Sequence, residues 1–187
     1  GSRAVVPANA GLALAAALAA GASPEASIVA MQNFNPDPGA FAIRRLPTRD
    51  GGQLTVFDAL AANDVESTEA LIGASGSRPE GSGPFTRRIL LIACRADRPD
   101  RSQAFARWAA AHASNWDEVL FAGFPPLASW LGLRAALPRN LGPRRVRCVA
   151  RRRLSETLAM LAGGSLVVAV GNWRGVGPLL VEQSREL

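Results

Sequence analysis

Five short runs of apolar residues recur between residues 54 and 170, and segments with a helical pattern separate them. The runs are largely apolar and do not alternate with period two, which is typical of strands buried on both faces of a parallel sheet. The pattern predicts an α/β fold with a Rossmann-like, mostly parallel sheet and helices on both faces. The predicted strands are Leu54–Phe57, Arg88–Ala93, Val119–Ala122, Val146–Ala150 and Ser165–Val170. The predicted helices among them span residues 64–72, 102–113, 126–133, 154–161 and 176–185.

A short helical segment is predicted ahead of the sheet. Residues 8–21 are rich in alanine, with Asn9 as a candidate N-cap. A second helix is predicted over residues 24–32, because it begins with proline, which is favoured in the first turn of a helix. The pattern changes to alternating strands and helices from Gln53, so the two helices are interpreted as a separate appendage or as the tail of a preceding domain.

The chain contains no lysine, and all 21 of its basic residues are arginine. A phosphate-binding loop of the GxxxxGK[ST] type and a lysine Schiff base are therefore excluded. The single histidine, His112, excludes a two-histidine metal site, and the two cysteines, Cys94 and Cys148, are too few for a four-cysteine zinc site. We expect no metal site, and we do not expect this chain alone to hydrolyse nucleotides.

The net charge of +6 indicates an anionic partner. Nucleic acid is disfavoured, because no aromatic residue is interleaved with the densest basic cluster and no nucleic-acid-binding motif is present. A solvated surface, an anionic polymer and an anionic membrane surface remain as interpretations. The cluster consists of Arg134, Arg139, Arg144, Arg145, Arg147, Arg151, Arg152 and Arg153.

A block of alternating charges follows the predicted strand at residues 88–93. Because ligands bind at the carboxyl ends of strands in open α/β sheets, this block is a candidate site. The planar fork of arginine suits a carboxylate or a phosphate, and the aspartates can orient those forks. An ion-paired helix N-terminus capped by Asp100 is the alternative interpretation. The candidate substrate-binding residues of the block are Arg95, Asp97, Arg98, Asp100 and Arg101.

Two further polar groups follow predicted strands. Asp58, Asn63 and Asp64 come after the first strand, where they could contact a ribose or the water of a bound metal. Burial of Asp58 and helix capping by Asp64 are the alternatives. Asn172 and Arg174 come after the last strand, between glycines that would let a ligand approach the backbone or simply form a tight turn.

Taken in order, these blocks resemble the catalytic subunit of poly-γ-glutamate synthase, the PgsB/CapB family, over nearly the whole chain. Val170-Gly171-Asn172 is similar to the last strand and loop of that family. The family itself resembles the Mur ligases and folylpolyglutamate synthases. The most specific blocks are Pro36-Asp37-Pro38-Gly39-Ala40, Ala61-Ala62-Asn63-Asp64 and Cys94-Arg95-Ala96-Asp97-Arg98 with Asp100-Arg101.

The resemblance implies an ATP-dependent amide ligase that phosphorylates a substrate carboxylate and lets an amine attack the acyl phosphate. It implies that residues 1–40 are the helical tail of a central ATPase domain that would bind ATP and Mg²⁺, and that residues 41–187 are the C-terminal domain. Gly1-Ser2 is typical of a cloning remnant, so we expect the natural protein to begin further upstream. The chain as given, which lacks the phosphate loop, is expected to be inactive alone.

By the same resemblance, Asp58, Asn63 and Asp64 would lie near the nucleotide. The Arg95–Arg101 block would lie near the incoming glutamate or the growing chain, and Asn172 with Arg174 would form a second wall. Asp58 stands where the family often has asparagine, and Arg174 where it often has histidine.

The partners that the resemblance implies are glutamate, poly-γ-glutamate, the upstream ATPase domain and the membrane subunits of a synthase complex. It implies a cytoplasmic location at the inner face of the membrane. The alternatives are a non-catalytic basic module that binds an anionic polymer, a membrane surface or nucleic acid, and another Mur-type ligase such as a cyanophycin-like enzyme.

Overall fold

The computed structural model describes residues 7–33, 41–62, 64–74, 85–136 and 146–185. Within these residues six strands form one sheet, as the α/β prediction requires. Each of the five predicted runs is a strand, within one or two residues at each end. The strands are β1 Ala42–Pro47, β2 Gln53–Asp58, β3 Arg88–Ala93, β4 Glu118–Ala122, β5 Val146–Val149 and β6 Leu166–Gly171.

The strands are arranged in the order β1-β2-β6-β3-β4-β5. The five strands from β2 to β5 in this order are mutually parallel, with Ala93 of β3 opposite Gly171 of β6. Only β1 is antiparallel, and it pairs with β2 through a tight turn. The carboxyl ends of the parallel strands therefore lie along one edge of the sheet, where the predicted polar loops begin.

Helices cover both faces of the sheet, which confirms the predicted Rossmann-like arrangement. They are α3 Val65–Ala74, α4 Pro99–Ala111, α5 Leu127–Ala136, α6 Leu154–Ala159 and α7 Gly177–Arg185. One core cluster joins the sheet to α3, α4 and α5 through Ile72, Phe105 and the partly buried Trp130. The other joins it to α6 and α7 through Leu158 and Leu180.

Two helices precede the sheet, as predicted. They are α1 Pro7–Ala19 and α2 Pro24–Gln32. Ser23 caps α2, because its side chain accepts a hydrogen bond from the Ala26 backbone N–H at 3.1 Å. The prediction of Asn9 as the N-cap of α1 was wrong, since this helix already includes Pro7.

Strand β1 was not predicted from the sequence. It contains Arg44 and Arg45 and ends at Pro47, so it lacks the continuous apolar pattern of the other strands. An edge strand has one free side and tolerates proline and charged residues there. The edge position therefore explains the missing signal, and the short turn between β1 and β2 explains the antiparallel pairing.

The chain leaves β3 and β6 toward opposite faces. After β3 it enters α4, which packs on one face, and after β6 it enters α7, which packs on the other. A crevice opens between neighbouring strands where the connections diverge in this way, and ligands bind there in open α/β sheets. The crevice between the ends of β3 and β6 is therefore the candidate location of a site.

The turn between β1 and β2 is bound to the loop before β6 by Asp50. Its carboxylate accepts hydrogen bonds from the Thr48 hydroxyl, from the Gly52 N–H at 3.1 Å and from the Gly163 N–H at 2.9 Å. The hydrogen bond from Thr48, followed by those from Gly163 and Gly52, lowers the pKa of Asp50 to about 2 from its ordinary 3.8. The charged form of this side chain is therefore favoured in the folded state.

The turn at Asp50 predicts an acid dependence of stability. Because its pKa is lower in the folded state, its contribution is fully present above pH 3.8 and is lost as the pH falls toward about 2. We expect Asp50→Asn to flatten the fall in the urea midpoint between pH 4 and about 2. The exposed Glu182→Gln serves as the control, and an equal flattening in both variants would contradict the assignment.

Candidate functional site

Asn172 joins the ends of β3 and β6 at the crevice. Its backbone N–H and its side-chain Nδ2 both donate to the Ala93 carbonyl, each at 3.1 Å. The residue is 3% exposed, so its amide is buried between the two strand ends. The predicted second wall therefore lies next to the end of β3, and the amide fixes the two strand ends to one another.

The two strand ends approach so closely that Gly171 has no room for a side chain. A Cβ built on Gly171 would lie 2.6 Å from the Ala93 carbonyl oxygen, and its φ is +102°. Glycine is favoured in both circumstances, because it lacks the Cβ and adopts positive φ without strain. The close approach of the two strand ends therefore requires glycine at position 171.

Arg101 links the charged block to this second wall. It lies in the first turn of α4, and its Nη1 donates to the Gly171 carbonyl at 3.4 Å. The side chain is half-buried. Two blocks that are 70 residues apart in the sequence therefore meet at one crevice, as the strand-end argument predicts.

The rest of the charged block lies in the connection between β3 and α4 and in the first turn of α4. Arg95 and Asp97 make a two-contact ion pair, with Nε to Oδ1 at 2.8 Å, and the hydrogen bonds from Arg95 lower the pKa of Asp97. Arg98 is the N-cap residue of α4 and makes no side-chain cap, and its side chain is exposed, as is that of Asp100. Asp100 lies within the helix, so it is not the cap that the alternative interpretation proposed. The exposed guanidinium of Arg98 is therefore available to a ligand.

Asp64 caps α3. Its Oδ1 accepts a hydrogen bond from the Ser67 backbone N–H at 2.7 Å, and this bond is the main cause of its lowered pKa. The nearby charge of Arg101 lowers it further. Capping thus accounts for Asp64, and its role near a nucleotide stays a prediction. Asn63 lies outside the described residues, as do the blocks at residues 36–40 and 75–84.

Asp58 is directed away from the crevice. It is fully buried at the end of β2, where its Oδ2 accepts from Arg44 Nε at 2.8 Å and its Oδ1 from the Leu60 N–H at 3.4 Å. Burial raises the pKa of Asp58, and the hydrogen bond from Arg44 opposes that rise. The geometry fits burial better than a contact with a ribose, and nucleotide proximity stays a prediction.

Arg174 and Trp173 follow Asn172 on the second wall. The Arg174 side chain is exposed, while the Trp173 indole lies against the backbone of Gly177, where a Cβ would be 2.3 Å from Nε1. Trp173 is therefore a packing residue that holds the loop to α7. Arg174 adds a positive charge next to the crevice.

Sequence reasoning missed one residue at this edge, Arg151. It was grouped with the basic cluster, yet its Nη2 donates to the Cys94 carbonyl at 3.0 Å, directly after β3. The one indication in the sequence is Gly175, because a glycine in this loop leaves the space in which the Arg151 guanidinium packs. This pairing depends on which strands are neighbours, so the sequence alone does not reveal it.

The described part of the basic cluster is not one uniform surface. Arg147 forms an ion pair with the buried Glu118, with Nε to Oε1 at 2.5 Å, while Arg152 and Arg153 are exposed. Arg139, Arg144 and Arg145 lie outside the described residues, as does the Arg134 side chain. Binding of an anionic polymer, a membrane or nucleic acid through this cluster stays a prediction.

Within the described ranges, no three or more histidine, cysteine, aspartate or glutamate side chains are grouped so that they could hold a metal ion. The lysine-free sequence contains no phosphate loop. The described residues therefore do not by themselves supply the carboxylate cluster or the phosphate loop of a Mg²⁺–ATP site. Over the same ranges, no helix is long and apolar enough to cross a membrane.

Comparison with known proteins gives a consistent result. The sequence profile of the poly-γ-glutamate synthase CapB C-terminal domain matches residues 43–187. PGA synthase CapB of Bacillus subtilis (strain 168) is 40% identical over 104 residues, which are 54% of this chain and 25% of that protein. The capsule biosynthesis protein CapB of Bacillus anthracis is 38% identical over 109 residues, which are 55% of this chain and 21% of that protein.

A solved structure supports the fold. The UDP-N-acetylmuramate-alanine ligase MurC of Thermotoga maritima superposes with a TM-score of 0.52 at 14% sequence identity. The superposition covers 92% of this chain and 36% of the ligase. At this identity the likeness concerns the fold alone, and it agrees with the predicted Mur-ligase-like arrangement.

Proposed function

Because the chain belongs to the family of the poly-γ-glutamate synthase CapB C-terminal domain, we propose that it is the acceptor-binding domain of an ATP-dependent amide ligase that polymerises glutamate into poly-γ-glutamate. The matched stretch spans about a quarter of the length of the curated relatives. The ligase activity is therefore assigned to a larger protein, in which an upstream domain binds ATP and Mg²⁺. In this proposal the chain contributes the crevice between β3 and β6.

The observation that supports this role best is the contact between Arg101 and the Gly171 carbonyl, which brings the charged block and the second wall together. The loops that this contact joins also carry Arg95, the exposed Arg98 and Arg174, and the buried amide of Asn172. Guanidinium groups bind carboxylates through paired N–H donors, and both glutamate and a γ-glutamyl chain present carboxylates. The crevice therefore suits an acidic acceptor.

The proposed reaction is attack of an amine on an acyl phosphate, with formation of an amide and release of phosphate. The chain's part is to hold the acceptor's carboxylates at the crevice, so that its amine is oriented toward the activated carboxyl group. Positioning of this kind converts an encounter of two molecules into a reaction within one complex. The arginines also oppose the repulsion between an anionic acceptor and an anionic acyl phosphate.

We further propose that the crevice faces the upstream ATPase domain when both substrates are bound, because domain closure excludes water from a reactive acyl phosphate. The larger protein would then act in a complex with membrane subunits at the inner face of the cytoplasmic membrane. Glutamate and poly-γ-glutamate are its proposed ligands.

Calorimetric titration with glutamate and short γ-glutamyl oligomers tests the acceptor role. We expect Arg98→Ala to weaken binding of the oligomers by about tenfold, because a charge-assisted hydrogen bond contributes about 1.5–3 kcal/mol. Arg45→Ala is the matched control, since Arg45 is also exposed but lies on the edge strand β1. We expect this control to bind within about twofold of the wild type.

Two results would count against the proposal. The first is equal binding by wild type and Arg98→Ala, and the second is an absence of binding even with the upstream ATPase domain supplied. A non-catalytic basic module would instead lose affinity steeply with salt. Its binding would survive Arg98→Ala and fail when Arg152 and Arg153 are both replaced by alanine.

A further inference from the structure

Arg151 reaches the end of β3 from the loop after β5, although β4 lies between these two strands. It follows Ala150 after β5, the edge strand opposite β1, in a single turn of 3-10 helix over Arg151–Arg153. Its Nη2 nevertheless reaches across β4 to the Cys94 carbonyl after β3, at 3.0 Å. A residue 57 positions away in the sequence is thus held at the end of β3.

Gly175 leaves the space that the Arg151 guanidinium occupies. A Cβ built on Gly175 would lie 2.6 Å from Nη1, 2.8 Å from Cζ and 3.1 Å from Nε of Arg151. Three atoms of one guanidinium lie at these distances, so its plane packs closely on the glycine backbone. Gly175 belongs to the loop after β6, and Arg151 therefore contacts the loops after both strands of the crevice.

Arg101 and Arg151 are arranged in a complementary way. Arg101 donates to the Gly171 carbonyl at the end of β6, and Arg151 donates to the Cys94 carbonyl just after β3. Gly171 is the direct neighbour of Ala93 in the sheet register, so these two carbonyls lie at adjacent strand ends. Each of these two arginines is thereby bound to a backbone carbonyl at one of two neighbouring strand ends.

The Arg151 guanidinium keeps capacity for a further acceptor. A guanidinium has five N–H donors, and within the described residues the Cys94 carbonyl is its one hydrogen-bond acceptor. The side chain is exposed, and no carboxylate of the described residues forms an ion pair with it. An exposed arginine that the backbone holds in place, with its charge not neutralised, is suited to bind an oxyanion.

We propose that Arg151 is a ligand-binding residue of the crevice, held in position by Gly175, and that it binds an oxyanion of the substrate. This inference rests on the proposed function, which supplies two sources of that oxyanion: a carboxylate of the γ-glutamyl acceptor, or the phosphate of the acyl phosphate. Inorganic phosphate serves as the probe for the second source.

The first test compares Arg151→Ala with Arg152→Ala by calorimetric titration of γ-glutamyl oligomers into the chain. Both variants lose one positive charge from an exposed side chain of the same turn. We expect Arg151→Ala to weaken binding about tenfold or more, Arg151→Lys to restore part of it, and Arg152→Ala to stay within about twofold. Equal losses in the two alanine variants would overturn the proposal.

The second test displaces the guanidinium without removing its charge. Gly175→Ala places a methyl group where the guanidinium lies, and we expect it to weaken binding as much as Arg151→Ala does. Gly51→Ala is the matched control, because Gly51 has a similar φ of +81° but open space around the built Cβ. Binding by Gly175→Ala that equals binding by Gly51→Ala would show that the position of Arg151 does not matter.

The chemical shift of the Arg151 Nε–H group, measured by nuclear magnetic resonance, tests this inference independently of the proposed function. A saturable shift of the Arg151 signal with γ-glutamyl oligomers supports both. If only inorganic phosphate shifts the Arg151 signal, Arg151 still binds an oxyanion, but the oxyanion is a phosphate. That result would contradict binding of the acceptor's carboxylate by Arg151. If neither ligand shifts the Arg151 signal, the oxyanion site is overturned, even where calorimetry detects oligomer binding elsewhere on the chain.

Discussion

Replacement of Gly171 by alanine is expected to lower the free energy of unfolding by about 2–5 kcal/mol, from a strained backbone and an overpacked contact together. The built Cβ would lie 2.6 Å from the Ala93 carbonyl oxygen and 3.2 Å from the Ala93 nitrogen. These are backbone atoms of the central strand β3, so they cannot rotate away as the end of a side chain would. Urea unfolding followed by circular dichroism measures the loss.

Gly51→Ala separates the two contributions. Gly51 also has a positive φ, +81°, but a Cβ there meets no atom within 4 Å. We expect this variant to lose only about 1 kcal/mol, the usual difference for a glycine with positive φ. If both variants lose the same amount, the close approach of Gly171 to the Ala93 backbone adds no cost to a side chain at this position.

The sequence predicted the parallel strands well because their signal is local. A strand covered on both faces must be apolar throughout, so each of the runs at residues 54–57, 89–93 and 166–170 reveals its own burial. Strand β1 has no such signal. Its residues are partly exposed at an edge, and its pairing with β2 depends on a turn whose hydrogen bonds reach Gly163, more than a hundred residues away.

The site was predictable in part for the same reason. Asn172 and Arg101 follow local strand signals, and the structure brings them to one crevice. Asp58 gave the same local signal, but its burial depends on Arg44 of the unpredicted strand β1. Arg151 could be assigned to the crevice only once the strand order was known, because neighbouring strands are not neighbours in sequence.

The ion pair between Arg44 and Asp58 gives the second large prediction. Asp58→Ala should lower the free energy of unfolding by about 3–5 kcal/mol, because it leaves a largely buried guanidinium without its partner. The Arg44 side chain is only 13% exposed, and its Nη1 also donates to the Ser184 hydroxyl of α7 at 3.4 Å. The pair therefore joins β1, β2 and α7, and urea unfolding at pH 7 measures its loss.

Glu156→Ala is the matched control for this ion pair. It removes a carboxylate from the Arg49–Glu156 pair, whose side chains are 61% and 56% exposed. Exposed pairs contribute at most about 1 kcal/mol, so the control should change the urea midpoint little. Similar losses in Asp58→Ala and Glu156→Ala would contradict a buried role for Asp58.

Arg44→Ala completes the test through its pH dependence. Burial raises the pKa of Asp58 and Arg44 opposes that rise, so removing Arg44 should raise this pKa further. The pKa of Asp58 is higher in the folded state than its ordinary value of 3.8. Its contribution to stability is therefore fully present below pH 3.8 and is lost as the pH rises through its pKa in the folded state. The destabilisation by Arg44→Ala should therefore be smaller at pH 4 than at pH 7, which is opposite in direction to the effect at Asp50. If the destabilisation by Arg44→Ala is the same at both pH values, Asp58 is exposed to solvent. A solvent-exposed carboxylate at the end of β2 would then remain a candidate for the nucleotide contact.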